Sequence, residues 1–186
     1  MNEQTKIKSG GFSVVEMAVV VFIIALLSTL IVVNYQQAKV KYNLVQAAQR
    51  MASHISRIQN LALTGRVQGT AIPTGYGIYI ASVNQYKIFY NDSSVPMPFG
   101  DKYKKSGSVG SIDIETITLS SGVTLDAGSV GHCVFFAPPD PTTYIDGNNP
   151  SSPITFTLCP TNCSCPGGCV NKKTIRVDIS GRINIQ

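Results

Sequence analysis

The chain has no tryptophan, no long low-complexity tract and few charges: 13% of its 186 residues are charged and 44% are apolar. The absence of biased tracts excludes a fibrous or wholly disordered chain and leaves the composition of one small folded domain plus one attached helix. Motifs of chemistry are missing as well. No Gly-rich phosphate loop, paired-carboxylate motif or serine elbow occurs, so the enzyme classes those motifs announce find no support. There are two histidines. His54 falls in a helical pattern and reads as a surface residue. His132 precedes Cys133, but adjacent residues on a strand point to opposite faces, so the two do not meet as base and nucleophile. No enzymatic activity, bound metal or cofactor is expected.

Also missing is the small-residue cleavage site that follows the apolar core of an ordinary secretory signal; here the small pair Gly10-Gly11 comes before the apolar run. That run extends from Phe12 to Val33, is apolar or small except at Glu16, and as a helix would reach about 33 Å, enough for a bilayer. Lys6 and Lys8 outweigh Glu3 on its N-terminal side, which keeps that end cytoplasmic and sends the rest of the chain across the membrane. Cleavage at the Gly pair leaves the apolar segment on the mature protein. Removing residues 1–11 takes away two lysines and one glutamate, so the formal charge of +5 becomes +4, too small an excess to argue for nucleic acid. Glu16 is the oddity. A charge inside an apolar span costs roughly 3 kcal/mol or more without a partner, and a free amine at Phe12, four residues earlier on the same helix face, is the nearest candidate.

A short basic leader, Gly11, Phe12, Glu16 and an apolar helix running on resemble the N-terminus of the type IV pilin-like (prepilin) family, which includes the pseudopilins of type II secretion. The resemblance implies that a prepilin peptidase cuts between Gly11 and Phe12 and methylates the Phe12 amine. It also implies that Glu16 pairs with the N-terminal amine of a neighbouring subunit during assembly on an inner-membrane platform. Two positions depart from the family's habit: Val33 stands where many members have a helix-breaking Pro, and Ala25 where they have Gly. Both favour an unbroken helix and suit a specialised subunit better than the repeating major one.

Beyond Asn34 the helix turns amphipathic, with Leu44, Ala48, Met51, Ile55, Ile58 and Ala62 at alternating spacings of four and three. Lys39, Lys41, Arg50 and Arg57 fill the opposite face, and Gly65, Gly69 and Pro73 end a helix predicted over 13–64. The stripe is too short for a coiled coil to be the preferred reading, so it is expected to pack on the C-terminal domain.

From Gly75 the period becomes two. A hairpin is predicted with Tyr76–Ala81 and Tyr86–Tyr90 joined at Val83–Gln85, then strands over 112–119, 123–125 and 133–137. Pro138 to Pro141 stop the last of these, and a loop is expected to Pro153. Strands over 154–158, 174–179 and 182–185 close the chain, the last two joined at Ser180-Gly181. The expected fold is α+β, a long N-terminal helix against an antiparallel sheet. Its divisions are a leader over 1–11, a membrane or filament-core helix over 12–34, an amphipathic helix over 35–65 and a β domain over 66–186. Three stretches of this second half resemble the H-type minor pseudopilins and their type IV pilus counterparts: Arg57-Ile-Gln-Asn-Leu-Ala-Leu-Thr, Gly75-Tyr-Gly-Ile-Tyr with Tyr86-Lys-Ile-Phe-Tyr, and the closing segment from Ile175 to Ile185.

Of the five cysteines, Cys133 stands alone, while Cys159, Cys163, Cys165 and Cys169 crowd the loop 159–169. Outside the cytoplasm disulfides are the default, and the Cys-x3-Cys-x-Cys-x3-Cys spacing is not that of the usual zinc knuckles. Cys163 and Cys165 are poorly placed to bond each other. Outer-to-inner pairs, or one of the four with Cys133, are expected, with at least one thiol left over or bonded to another chain. Lys102, Lys104 and Lys105 surround Tyr103 in an exposed loop. A DNA contact through them is one reading, and a solvated charge run is the preferred one.

Two functional classes follow. One is a filament subunit, a minor pilin or pseudopilin whose partners are other such subunits, the peptidase, the assembly platform and membrane lipid before assembly. It would be a single-pass inner-membrane protein first, then part of a periplasmic pseudopilus or surface pilus. The other is a filament-tip binding module whose loops touch DNA, a surface or a secreted protein.

Overall fold

The computed structural model describes residues 11, 13–66, 73–95, 103–105, 110–138, 142–148 and 151–186, with the side chains of 30–34 excepted. The leader residues Lys6 and Lys8, the predicted new N-terminus Phe12, the Val33 side chain, Lys102 and the stretch from Pro139 to Pro141 lie outside what is described. The chain is α+β and divides into two compact units, Met1–Lys39 and Val40–Gln186.

Helix α1 spans Val14–Thr64 and is not interrupted at Ala25 or Val33. It ends where Gly65 takes φ 56°, with the Gly65 N–H donating to the Ala62 carbonyl and the Thr64 hydroxyl to that of Asn60. Glycine reaches that left-handed conformation without a Cβ penalty, which stops the helix and satisfies its last carbonyls.

In the larger unit every member of the predicted stripe, from Leu44 to Ala62, is buried, joined by Ala47 and Ala52. Full burial of side chains such as Met51, Ile55 and Ile58 stabilises by about 1.5–3 kcal/mol each, more than helix propensity supplies. The stripe packs on sheet and not on another helix, so the coiled-coil alternative is removed.

Among the described residues nine strands follow, all pairing antiparallel: β1 (Pro73–Ser82), β2 (Gln85–Asp92), β3 (Ser111–Thr118), β4 (Val123–Leu125), β5 (Cys133–Ala137), β6 (Thr142–Ile145), β7 (Ile154–Pro160), β8 (Lys173–Val177) and β9 (Ile183–Ile185). They form two sheets and not one, a five-stranded sheet in the order β3-β2-β1-β5-β6 and a four-stranded sheet β4-β7-β8-β9. The expectation of a single sheet fails because the 123–125 strand pairs with β7 through Thr124 and Cys159 instead of with its neighbour in sequence. A further correction concerns the expected loop after Pro138. Its residues Thr142–Ile145 add strand β6 beside β5, and directly after β6 the chain turns at Asp146-Gly147, φ 51° and 83°, to bridge Ile145 with Asn148. Positive φ at both central residues is what a tight hairpin turn matched to strand twist requires.

Alternation along β1 and β2 sorts side chains by face. Tyr76, Ile78, Ile80, Tyr86, Ile88 and Tyr90 join α1 and the four-stranded sheet's Phe156, Leu158, Ile175 and Val177 in the main core. Phe89, Cys133, Phe135 and Ala137 occupy the opposite face and make a second, small core with Tyr79, Tyr103 and Tyr144.

Candidate functional site

The N-terminal segment that carries the processing and assembly expectation begins at Gly11, which is exposed and has nothing within 4 Å of where a Cβ would be. Ser13 then starts α1. Its hydroxyl accepts from the Val15 N–H at 3.3 Å, its carbonyl accepts from the Met17 N–H at 3.2 Å, and the Glu16 carboxylate accepts from the Ser13 N–H at 3.1 Å. Ser13 thus caps the N2 amide while Glu16 at N3 reaches back to the Ser13 N–H, a variant of the Ser-x-x-Glu capping box that satisfies two donors at the helix start. Glu16 also sits where the helix dipole favours negative charge. Sequence reasoning sought a partner for Glu16 at Phe12 and missed Ser13, although the Ser-x-x-Glu spacing before an apolar run is itself the signal.

After the cap, the first unit presents apolar side chains around the whole helix. Val14, Val15, Met17, Val19, Val20, Val21, Phe22, Ile23, Ile24, Leu26 and Leu27 are all exposed. The two hydroxyls within this stretch bond the helix's own carbonyls, Ser28 to Ile24 and Thr29 to Leu26, each at 2.7 Å, so they ask nothing of the surroundings. Among the described residues no helix is long and apolar enough to cross a membrane, which leaves the expected single-pass span unsupported by them; the described side chains of the run stop at Thr29.

At the far end of β7 the cysteine-rich loop is closed by two disulfides, Cys159–Cys165 and Cys163–Cys169. Both join an outer to an inner cysteine, and they interleave. Cys159 is anchored in the four-stranded sheet, so the staple fixes the β7–β8 connection to the core. Val170 beside it is 99% exposed. Cys133, the fifth disulfide candidate, is a buried free thiol. It belongs to β5 in the other sheet, facing Phe89 and Phe135, and so takes no part in the staple.

The lysine loop is tied down. Tyr103 stacks on Tyr144 with centroids 4.0 Å apart and planes within 4°, and meets Phe135 edge-on. The Lys104 carbonyl accepts from Asn91 Nδ2 at 2.9 Å. Lys105 bonds one carboxylate oxygen of Asp113, Lys87 bonds the other at 2.8 Å, and the Lys105 ammonium lies 5.4 Å from the centre of the Phe89 ring. Burial pushes the Asp113 carboxyl up, but the bonds from Lys105 and Lys87 outweigh it and hold the group below its ordinary value. Lys105 is thus engaged within the fold, whereas a phosphate contact needs a lysine turned to solvent. Neither Asp113 nor Tyr144 is visible as a partner in the sequence: Asp113 lies eight residues on from Lys105 in β3 and Tyr144 far along the chain in β6, and no local period points either at the loop.

His132 and Cys133 share a partner. Asp146, held in the β6 turn, places one oxygen 2.6 Å from His132 Nδ1 and accepts the Cys133 N–H on the other at 2.8 Å. Burial pushes the Cys133 thiol up to about 11, so it stays protonated at neutral pH and is a poor nucleophile. His54 departs from the expected surface position, since it is half-buried with Nδ1 3.0 Å from the hydroxyl of Tyr86, and burial lowers its pKa. Among the described residues no group of three or more His, Cys, Asp or Glu is placed to hold a metal ion.

Compared with known proteins, the chain matches no family model, no curated protein and no solved structure.

Proposed function

We propose that the chain is a structural subunit of a type IV pilus-like or type II secretion filament, a minor pilin or H-type pseudopilin cut between Gly11 and Phe12. The observation that carries this reading is the apolar start of α1, whose described large side chains from Val14 to Leu27 are exposed on every side of the helix. Such a helix needs an apolar environment supplied from outside, lipid before assembly and the corresponding helices of other subunits afterwards. The helix continues into a half whose apolar stripe is fully used by its own domain, so what remains for partners is the N-terminal part. Inner-membrane insertion before assembly, processing by a prepilin peptidase and docking on an assembly platform belong to the same proposal.

The test is the mass of the mature protein from cells that carry the peptidase. The expected N-terminus is N-methylated Phe12, and recovery of a chain still beginning at Met1 would overturn the reading. A second role, contact with a surface or secreted protein at the filament tip, is favoured by the stapled loop, whose Val170 side chain points at solvent from a cross-linked turn. DNA is the weaker target, because Lys105 is bonded to Asp113.

A further inference from the structure

We propose that the outer edge of β9 takes up an extended acidic segment of a partner protein as a further strand of the four-stranded sheet. β9 stands at the end of that sheet, beside β8 alone. The ladder bonds join Thr174 with Gln186 and Asp178 with Arg182, so Arg182, Asn184 and Gln186 turn their backbone groups to β8. By alternation Ile183 and Ile185 turn theirs outward. Among the described residues nothing bonds those outward groups. The other edges carry devices that discourage pairing. On β4 the outward amides are spent, Val123 on Ser120 and Leu125 on Val83. On β6 the Ile145 backbone exchanges both bonds with Asn148, and the register of β3 shifts opposite Ile88 and Phe89. β9 has no proline, no register shift and no charge within Ile183–Ile185, and its ladder with β8 extends over residues 182–186.

Charge and face select the occupant. Residues 106–171 hold Asp113, Glu115, Asp126, Asp140 and Asp146 and no lysine or arginine, whereas 172–186 hold Lys172, Lys173, Arg176 and Arg182 against Asp178 alone. Among the described residues only Arg176 of these four cations is ion-paired, to Asp178 at 2.9 Å. The β8–β9 edge is therefore a positive margin, which attracts acidic chains and turns away basic ones. Ile183 packs on the main core, and Ile185 beyond it is 44% exposed, so an added strand gains most from an apolar side chain opposite each. In an antiparallel addition the residues directly opposite Ile183 and Ile185 exchange both backbone bonds with them. The segment that fits thus alternates. Its apolar residues take the bonded positions on the core face, and the acidic residues between them share the face of Asn184 and Arg176, with Arg182 at the start of the strand.

The experiment is fluorescence anisotropy of a short labelled peptide of alternating valine and glutamate, titrated with the full chain in neutral detergent. Saturable binding is expected, and lysine in place of glutamate is expected to abolish it. N-methylation of the valine amides removes the donors aimed at β9 without changing charge and is expected to weaken binding about tenfold or more; N-methylation of the glutamate amides is expected to leave it unchanged. On the protein, Ile185→Pro deletes an outward donor and no bond to β8, and is expected to cost about tenfold, against about threefold for Arg182→Ala. Equal binding of the two methylated peptides would reduce the effect to charge attraction and overturn the proposal without recourse to any variant. So would failure of the unmodified peptide to bind at about 1 mM. A short DNA duplex that binds where the peptide does not would assign the cations to phosphate and overturn it as well.

Discussion

The Glu16 carboxylate accepts the Ser13 backbone N–H at 3.1 Å while the Ser13 hydroxyl accepts the Val15 N–H at 3.3 Å. Two donors at the start of α1 are therefore satisfied within one chain. If filament assembly needs the charge on Glu16 to meet a neighbour's amine, two functions share that carboxylate, and substitutions separate them. Glu16→Gln keeps an acceptor for Ser13 and loses the charge; Glu16→Ala loses both. Both variants are expected to vanish from sheared filament fractions. Ser13→Ala, which costs the helix start about 1 kcal/mol, is expected to remain in them. Native incorporation of Glu16→Gln would show that the acceptor alone matters.

Gly77 faces the second core so closely that a Cβ there would lie 2.7 Å from the Phe89 ring and 2.9 Å from the Val134 carbonyl. The backbone carbonyl is fixed by the β1–β5 ladder and does not move aside. Gly77→Ala is expected to destabilise the Val40–Gln186 unit by about 1–3 kcal/mol, the range for overpacking a tight site. Denaturant unfolding of the full chain measures it. Val21→Ala, in the exposed apolar stretch, is expected to leave that unfolding midpoint unchanged.

The cysteine pairing predicts a thiol count. Alkylation of the exported protein under denaturing conditions without reductant is expected to modify Cys133 alone, and all five cysteines after reduction. Peptide mapping should recover Cys159 linked to Cys165 and Cys163 to Cys169. Each bridge closes a ring of sequence separation 6, for which the chain-entropy model gives about 2 kcal/mol. A peptide containing Cys133 bridged to any of the four would contradict the structure.

Where one physical signal dominated, the fold was legible in the residues. Leu44, Met51, Ile55 and Ile58 recur at helical spacing because one helix face is buried, and Tyr76, Ile78 and Ile80 alternate because one sheet face is. Strand β6 escaped notice because its buried inward residue is Thr143, a polar side chain in a segment full of prolines. The division into two sheets was hidden for another reason: pairing partners such as Thr124 and Cys159 are set by tertiary packing that no local period encodes. At the sites, spacing argued against a Cys163–Cys165 bond and left the true pairs open. The basic loop misled most, since Lys105 looks like any solvated lysine until Asp113 is brought beside it from β3.

His54 predicts a pH dependence of stability. Burial against Tyr86 disfavours its charged form, with Arg57 and Arg50 acting in the same direction and Glu115 opposing them, so its pKa in the folded chain lies below the ordinary 6.5. Between those two values the unfolded chain binds more protons than the folded one. By linkage, stability then rises with pH across that window and levels off above about 6.5. Asp113 acts in a separate window, because its folded pKa is depressed below 3.8 and its contribution is lost only at more acidic pH. Urea midpoints of the full chain, measured between pH 5 and 8, are expected to climb and then flatten. In His54→Gln, which keeps a hydrogen-bonding group near Tyr86 and cannot be protonated in this range, the climb is expected to disappear. A slope that persists unchanged in that variant would place the titration on another group.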